Sequence, residues 1–130
     1  INTYLDIEIG GSCIFADWIY VCDFDHVFED VNRPIKDQGI VKSPVRIGPD
    51  CWLGAKVTVT RGTFVGPGCV LAANSVVRGT IAPKSVVGGV PARVLKDRQE
   101  QYDAAAARRA ALEDIARKTR VAAQKHTTGQ

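Results

Sequence analysis

The chain has 130 residues, a formal charge of +3 from 17 Lys and Arg against 14 Asp and Glu, and 45% hydrophobic residues. That length fits one domain plus a tail, and so small a basic excess argues against a nucleic-acid binder. No stretch is long and apolar enough to span a membrane and no signal peptide is visible; a cytoplasmic protein is expected from its cysteine usage.

The chain opens in strand-like alternation at Tyr4, Leu5, Ile7 and Ile9, with no Met and no capping segment. A stacked repeat needs a cap over its first coil, so either the natural protein is longer, and this chain an N-terminally truncated fragment, or something else covers that face. Three six-residue units follow in step: Ile9–Ile14, Phe15–Tyr20 and Val21–His26. The phase then breaks over Val27–Ile40, which reads as a loop thrown out of a regular scaffold. It returns with Val41–Arg46.

From Ile47 to Ile81 the period is regular. Aliphatic residues stand at Ile47, Leu53, Val59, Val65, Leu71 and Val77, and small residues follow them at Gly48, Gly54, Thr60, Gly66 and Ala72. Four places after each aliphatic come Cys51, Val57, Thr63, Cys69, Ser75 and Ile81. A period of six fits neither a helix nor a plain alternating strand. It predicts a parallel β-helix, with the aliphatic and the small residue both pointing inward. Glycine after the aliphatic is expected to serve the turn, and Asn74 to tolerate left-handed turn geometry.

Cys13, Cys22, Cys51 and Cys69 lack metal-type spacing, and three of them hold the small inward position, which predicts buried free thiols. The repeat closes over Ser85–Leu95. Beyond it, a composition rich in Ala, Arg, Glu and Gln predicts a helix from about Asp97 to Ala123, with Tyr102, Leu112, Ile115 and Thr119 as a thin apolar stripe. Residues from Gln124 on are expected to fray. This gives a domain over 1–96 with an inserted loop at about 27–40, and a helical tail over 97–130. The tail is expected to pack on the end of the β-helix or on a neighbouring subunit.

His26 is the one histidine in the repeats; the other, His126, lies in the tail. At the point where coil gives way to loop, its imidazole is placed either as a general base or as a surface ring beside a turn. Asp25 and Asp23 flank it, and each reads as an orienting acid or as a turn-stabilising side chain. Asp6, Glu29 and Asp30 are further candidates for the acid. Trp52 points outward on the first coil after the loop, as a wall for a ligand or subunit, or as packing beneath the loop.

Asp25-His26, Val45–Gly54 and Gly88–Val94 together resemble the hexapeptide-repeat acyltransferases, and most of all the maltose, galactoside and colanic-acid O-acetyltransferases. The resemblance runs from about Ile9 to Lys96. It implies a left-handed parallel β-helix, an all-β solenoid with the C-terminal helix appended, assembled as a homotrimer with active sites between subunits. It implies acetyl transfer from acetyl-CoA to a hydroxyl of a carbohydrate acceptor, with no metal. His26 falls on the family's catalytic histidine. Trp52, Ala55 and Ala73 fall on its acetyl-group and pantetheine wall. Arg78, Arg93 and Lys96 fall where the family binds the phosphates, with Lys84 as a further cation. Arg78-Gly79 replaces the commoner Thr-Lys. The competing readings are an N-acetyltransferase acting on an amino sugar or antibiotic, and a non-catalytic scaffold. A zinc carbonic anhydrase on this fold needs three histidines, which the repeats lack.

Overall fold

The computed structural model describes residues 1–128. The chain divides between Asp97 and Arg98 into two compact units. The first half of unit one holds β1 (Ile7–Ile9), β2 (Ile14–Phe15), β3 (Tyr20–Val21), β4 (Phe24–His26), β5 (Ile40–Lys42), β6 (Val45–Ile47) and β7 (Trp52–Leu53). Then come β8 (Thr58–Val59), β9 (Phe64–Val65), β10 (Val70–Leu71), β11 (Val76–Val77), β12 (Thr80–Ile81), β13 (Ser85–Gly89) and β14 (Ala92–Asp97).

These strands form three parallel stacks, each taking one strand per turn of the chain. The first is β1-β6-β9-β12, the second β2-β7-β10-β13 with β14 at its edge, and the third β3-β8-β11. Arg46 pairs with Phe64, Trp52 with Val70 and Thr58 with Val76, so one coil takes 18 residues, or three hexads. The expected inward residues fill the centre: Ile47, Leu53, Val59, Leu71 and Val77 are buried, with Cys51, Val57, Thr63, Cys69 and Ser75 between them. Each buried Val or Leu contributes about 1.5–3 kcal/mol. The small inward residues also bond the corners. The thiols of Cys13, Cys51 and Cys69 donate to the carbonyls of Gly48, Gly66 and Ala82.

The glycine after each aliphatic has a different reason from the one expected. The left-handed residue of each corner lies later, at Ser12, Trp18, Asp50, Lys56, Gly62, Gly68, Asn74 and Lys84. Asn74 thus behaves as its residue type predicts. Gly48 instead answers to stacking, because a Cβ there would lie 2.7 Å from the Pro67 nitrogen of the next coil.

Three expected phases shift. Ile81 does not hold the small position: it pairs with Val65, in the aliphatic position, because the chain turns the corner from β11 to β12 with only Arg78 and Gly79. The last coil is accordingly 16 residues long. Val21–His26 and Val41–Arg46 are not whole repeats. The chain leaves the coil after Asp23 and re-enters at Ser43, whose N–H bonds the Asp23 carbonyl at 2.9 Å. The excursion is therefore longer than Val27–Ile40, since β4 and β5 pair antiparallel as its stalk, with a short 3-10 turn at Ile35–Asp37.

The coil ends in the antiparallel hairpin β13-β14. The second unit is one helix, α1 (Arg98–Thr128). It runs past Gln124, where fraying was expected. Tyr102, Leu112 and Ile115 on its stripe are exposed. No helix among the described residues is long and apolar enough to cross a membrane.

Candidate active site

The corner between the third and first stacks brings together His26, Asp25, Arg61 and Arg78. In the first coil it is opened by the β4-β5 arm, in the second it holds Arg61, and in the third it is the Arg78-Gly79 link. Successive coils lie about 4.8 Å apart, so the arm, Arg61 and Arg78 form a column along one edge. Arg93, on β14, closes its far end.

Two cavities occupy this edge. One, of about 500 Å³, is lined by Asp25, His26, Phe28, Glu29, Ile35, Val41 and Arg61. The other, of about 620 Å³, runs between Asp25, Thr60, Arg61, Val76, Arg78 and Arg93. Asp25 and Arg61 line both, so the two meet at that pair. The result is a groove with an imidazole and apolar arm side chains at one end and two guanidinium groups at the other. Among the described residues, no carboxylate pairs with Arg78 or Arg93.

His26 is exposed on the stalk, and no hydrogen bond to its ring is found among the described residues. Its ring meets that of Phe24 edge to face, at 6.1 Å between centroids. Among the described residues, Asp25 makes no hydrogen bond to that ring. On a strand successive side chains alternate in direction, and the Asp25 carboxylate accepts from Arg61 Nε at 2.6 Å. The other candidate acids are also engaged. Asp6 pairs with Arg46 at 2.6 Å, Glu29 accepts from the Phe28 N–H, and Asp30 from the Asn32 N–H.

Asp23 is a structural acid. It is fully buried, and its carboxylate accepts from Thr3 Oγ1 and from the N–H groups of Tyr4, Leu5 and Asp6, at 2.7–2.9 Å. Burial alone would raise its pKa; these four donors outweigh burial and hold it down at about 2.

The remaining predicted residues lie on another wall. Trp52, 52% exposed, stands in an outward row on the second stack, between Ile14 and Val70, with Val86 and Lys96 continuing it. Ala55 and Ala73 sit one coil apart in the turns leaving that stack, and the Asn74 N–H bonds the Ala55 carbonyl at 2.9 Å. None of Trp52, Ala55, Ala73 or Lys96 lines the His26 groove. Within one chain the predicted site thus falls into two halves: His26, Asp25, Arg78 and Arg93 on one edge, and Trp52, Ala55, Ala73 and Lys96 on the second stack. Sequence reading missed Arg61. The available signal was the coil length, which sets Arg61 one coil beyond Ser43, where the arm returns.

A coil of hexads carrying a histidine on an inserted arm defines a hexapeptide-repeat protein. Residues 44–78 match the family model described as the hexapeptide repeat of succinyl-transferase. The chain is 61% identical over 122 residues to a probable acetyltransferase of Mycobacterium tuberculosis, a match covering 91% of this chain and 41% of that protein. Among solved structures, a maltose O-acetyltransferase from Clostridium difficile 630 is 36% identical, with a TM-score of 0.63, covering 70% of this chain and 48% of that one. A hexapeptide-repeat acetyltransferase from Vibrio cholerae, complexed with acetyl coenzyme A, is 27% identical with a TM-score of 0.55, covering 70% and 60%. Residues 44–78 thus carry the hexapeptide repeat, and over most of its length the chain is similar to hexapeptide-repeat acetyltransferases. It spans about half the length of the curated relatives it matches.

Proposed function

We propose that this protein transfers an acetyl group from acetyl-CoA to a hydroxyl of a sugar or glycan, with His26 as general base. The carrying observation is the pair of adjoining cavities, one lined by His26 and the other by Arg78 and Arg93, that share the Asp25–Arg61 pair as a common wall. Guanidinium groups without carboxylate partners suit the phosphates of coenzyme A, and an exposed imidazole suits the acceptor. The neutral His26 ring takes the hydroxyl proton as the oxygen attacks the thioester carbon. Its imidazolium then returns that proton to the departing thiolate, leaving an acetyl ester and free coenzyme A. Such a base contributes on the order of 10²–10⁴-fold.

The coil is left-handed on this reading, and the protein a homotrimer. The separation of the His26 edge from the Trp52, Ala55 and Ala73 wall supports that assembly, because a neighbouring protomer can bring the second half to the first. Phe28, Ile35 and Val41 offer an apolar wall beside His26 on which a sugar ring can stack, and Glu29 an acceptor for its hydroxyls.

Calorimetric titration of coenzyme A tests the groove. Replacing Arg78 and Arg93 together by alanine is expected to weaken binding by roughly 100-fold, about two charge-assisted hydrogen bonds at the low end of their range. Unchanged affinity would remove the cofactor from this edge.

A further inference from the structure

We propose that Tyr4 is a positioning residue for His26, set in place by the buried carboxylate of Asp23. This rests on the reading of His26 as the base. The segment before β1 is tied at both ends: Asn2 bridges to Cys22 and its N–H bonds the Val21 carbonyl at 2.9 Å, while Asp6 accepts from the Val45 N–H and pairs with Arg46. Between them, Thr3, Tyr4 and Leu5 are held by Asp23. Three successive N–H groups, of Tyr4, Leu5 and Asp6, point at one carboxylate, and the Thr3 hydroxyl adds a fourth donor. Such a run of amides is a backbone nest closed on an internal anion.

The nest places the Tyr4 ring against Phe24, with centroids 4.6 Å apart and planes at 80°. Phe24 in turn meets His26 at 6.1 Å and 82°. Phe24 and His26 are two apart on β4 and share one side of the strand. Asp23 thus connects to the imidazole through a backbone nest and two edge-to-face ring contacts.

His26 needs such support because its ring is exposed and, among the described residues, no hydrogen bond holds it. An exposed imidazole changes rotamer freely, whereas a base works only from near-attack geometry. Packing against Phe24 limits that freedom, and Tyr4 limits Phe24. Tyr4 enters the nest through its backbone N–H, so its ring can be removed without removing the Asp23 hydrogen bond.

The test compares Tyr4→Ala, Tyr4→Phe and His26→Ala in the intact protein. Acetyl-CoA is the donor and glucose, galactose and maltose are the acceptors. Tyr4→Ala is expected to lower kcat about tenfold, a small displacement of the base. The KM for acetyl-CoA and the melting temperature should stay at the parent values. Tyr4→Phe, which keeps the ring, should restore the rate. Imidazole proton–nitrogen NMR gives a readout that needs no acceptor. Nuclear Overhauser contacts between the His26 and Phe24 rings should weaken in Tyr4→Ala and persist in Tyr4→Phe. Ring contacts unchanged in Tyr4→Ala, a rate within twofold of the parent, or a loss that Tyr4→Phe does not repair would overturn the proposal. If His26→Ala kept full activity, the base assignment itself would fall; an inactive His26→Ala beside a fully active Tyr4→Ala would overturn only the positioning role.

Discussion

The Asp25 carboxylate and the Arg61 guanidinium meet at 2.6 Å, joining the arm that carries His26 to the corner of the next coil. The pair is partly exposed on both sides, so its effect on stability is small, about 0.2–1 kcal/mol. Its effect on geometry is larger, because Asp25 precedes His26 directly and both cavities adjoin the pair. Arg61→Ala is therefore expected to leave the melting temperature nearly unchanged while lowering kcat roughly tenfold, the scale of a small misplacement of a catalytic group. Arg61→Lys should recover only part of the rate, since an ammonium lacks the planar fork. Steady-state kinetics beside thermal melts check both.

Asp23 sets an acid limit on the fold. Its carboxyl is held at about 2, below the ordinary value near 3.9 that it regains on unfolding. The folded state therefore binds fewer protons than the unfolded state between these values. Its stabilising contribution is complete above about pH 4 and is lost as pH falls toward 2. Melts from pH 6 to pH 2 should show the parent losing stability steeply across that window. Asp23→Asn should start several degrees lower at pH 7 and lose less over the same interval.

The inward thiols differ in reactivity by depth. Burial pushes Cys51 up to about 11, and Cys69 lies beside it in the next coil. Cys13, in the first coil, is only half-buried. A brief iodoacetamide pulse on the native protein, followed by peptide mass spectrometry, should label Cys13 first. Cys51 and Cys69 should react only after unfolding.

Stacking makes Gly48 and Gly11 respond oppositely to the same change. A methyl group at Gly48 would press on the Pro67 backbone, whereas at Gly11 it meets nothing within 4 Å. Gly48→Ala is expected to cost about 1–3 kcal/mol or more, as overpacking against rigid backbone does. Gly11→Ala should be neutral or stabilise by up to about 1 kcal/mol through the unfolded chain. Urea unfolding of the two variants measures the difference.

The hexad was legible in the sequence because inward volume repeats with the coil: Ile47, Leu53 and Val59 occupy one role under one constraint. The corner at Arg78-Gly79 was not, since deleting two residues there moves Ile81 into a role its side chain fits equally well. Gly48 shows the same limit in another form. Composition marks a position that excludes a side chain, but only the next coil shows what excludes it. At the site, His26 stood out because it is the one imidazole in the repeats, and it lines a cavity. Its setting was not legible. Arg61 lies far along the chain from Asp25 and meets it through the coil, and the four donors to Asp23 come from a segment with no motif of its own. Trp52 was placed outward correctly, yet its separation from the His26 groove follows from which stack each strand joins.

The most direct test of the account is His26→Ala, assayed with acetyl-CoA and a panel of sugars by release of free thiol, with coenzyme A affinity measured on the same preparation. The expected result is a fall in kcat on the order of 10²–10⁴-fold with the coenzyme A affinity unchanged. A variant that turns over within threefold of the parent would contradict His26 as the base.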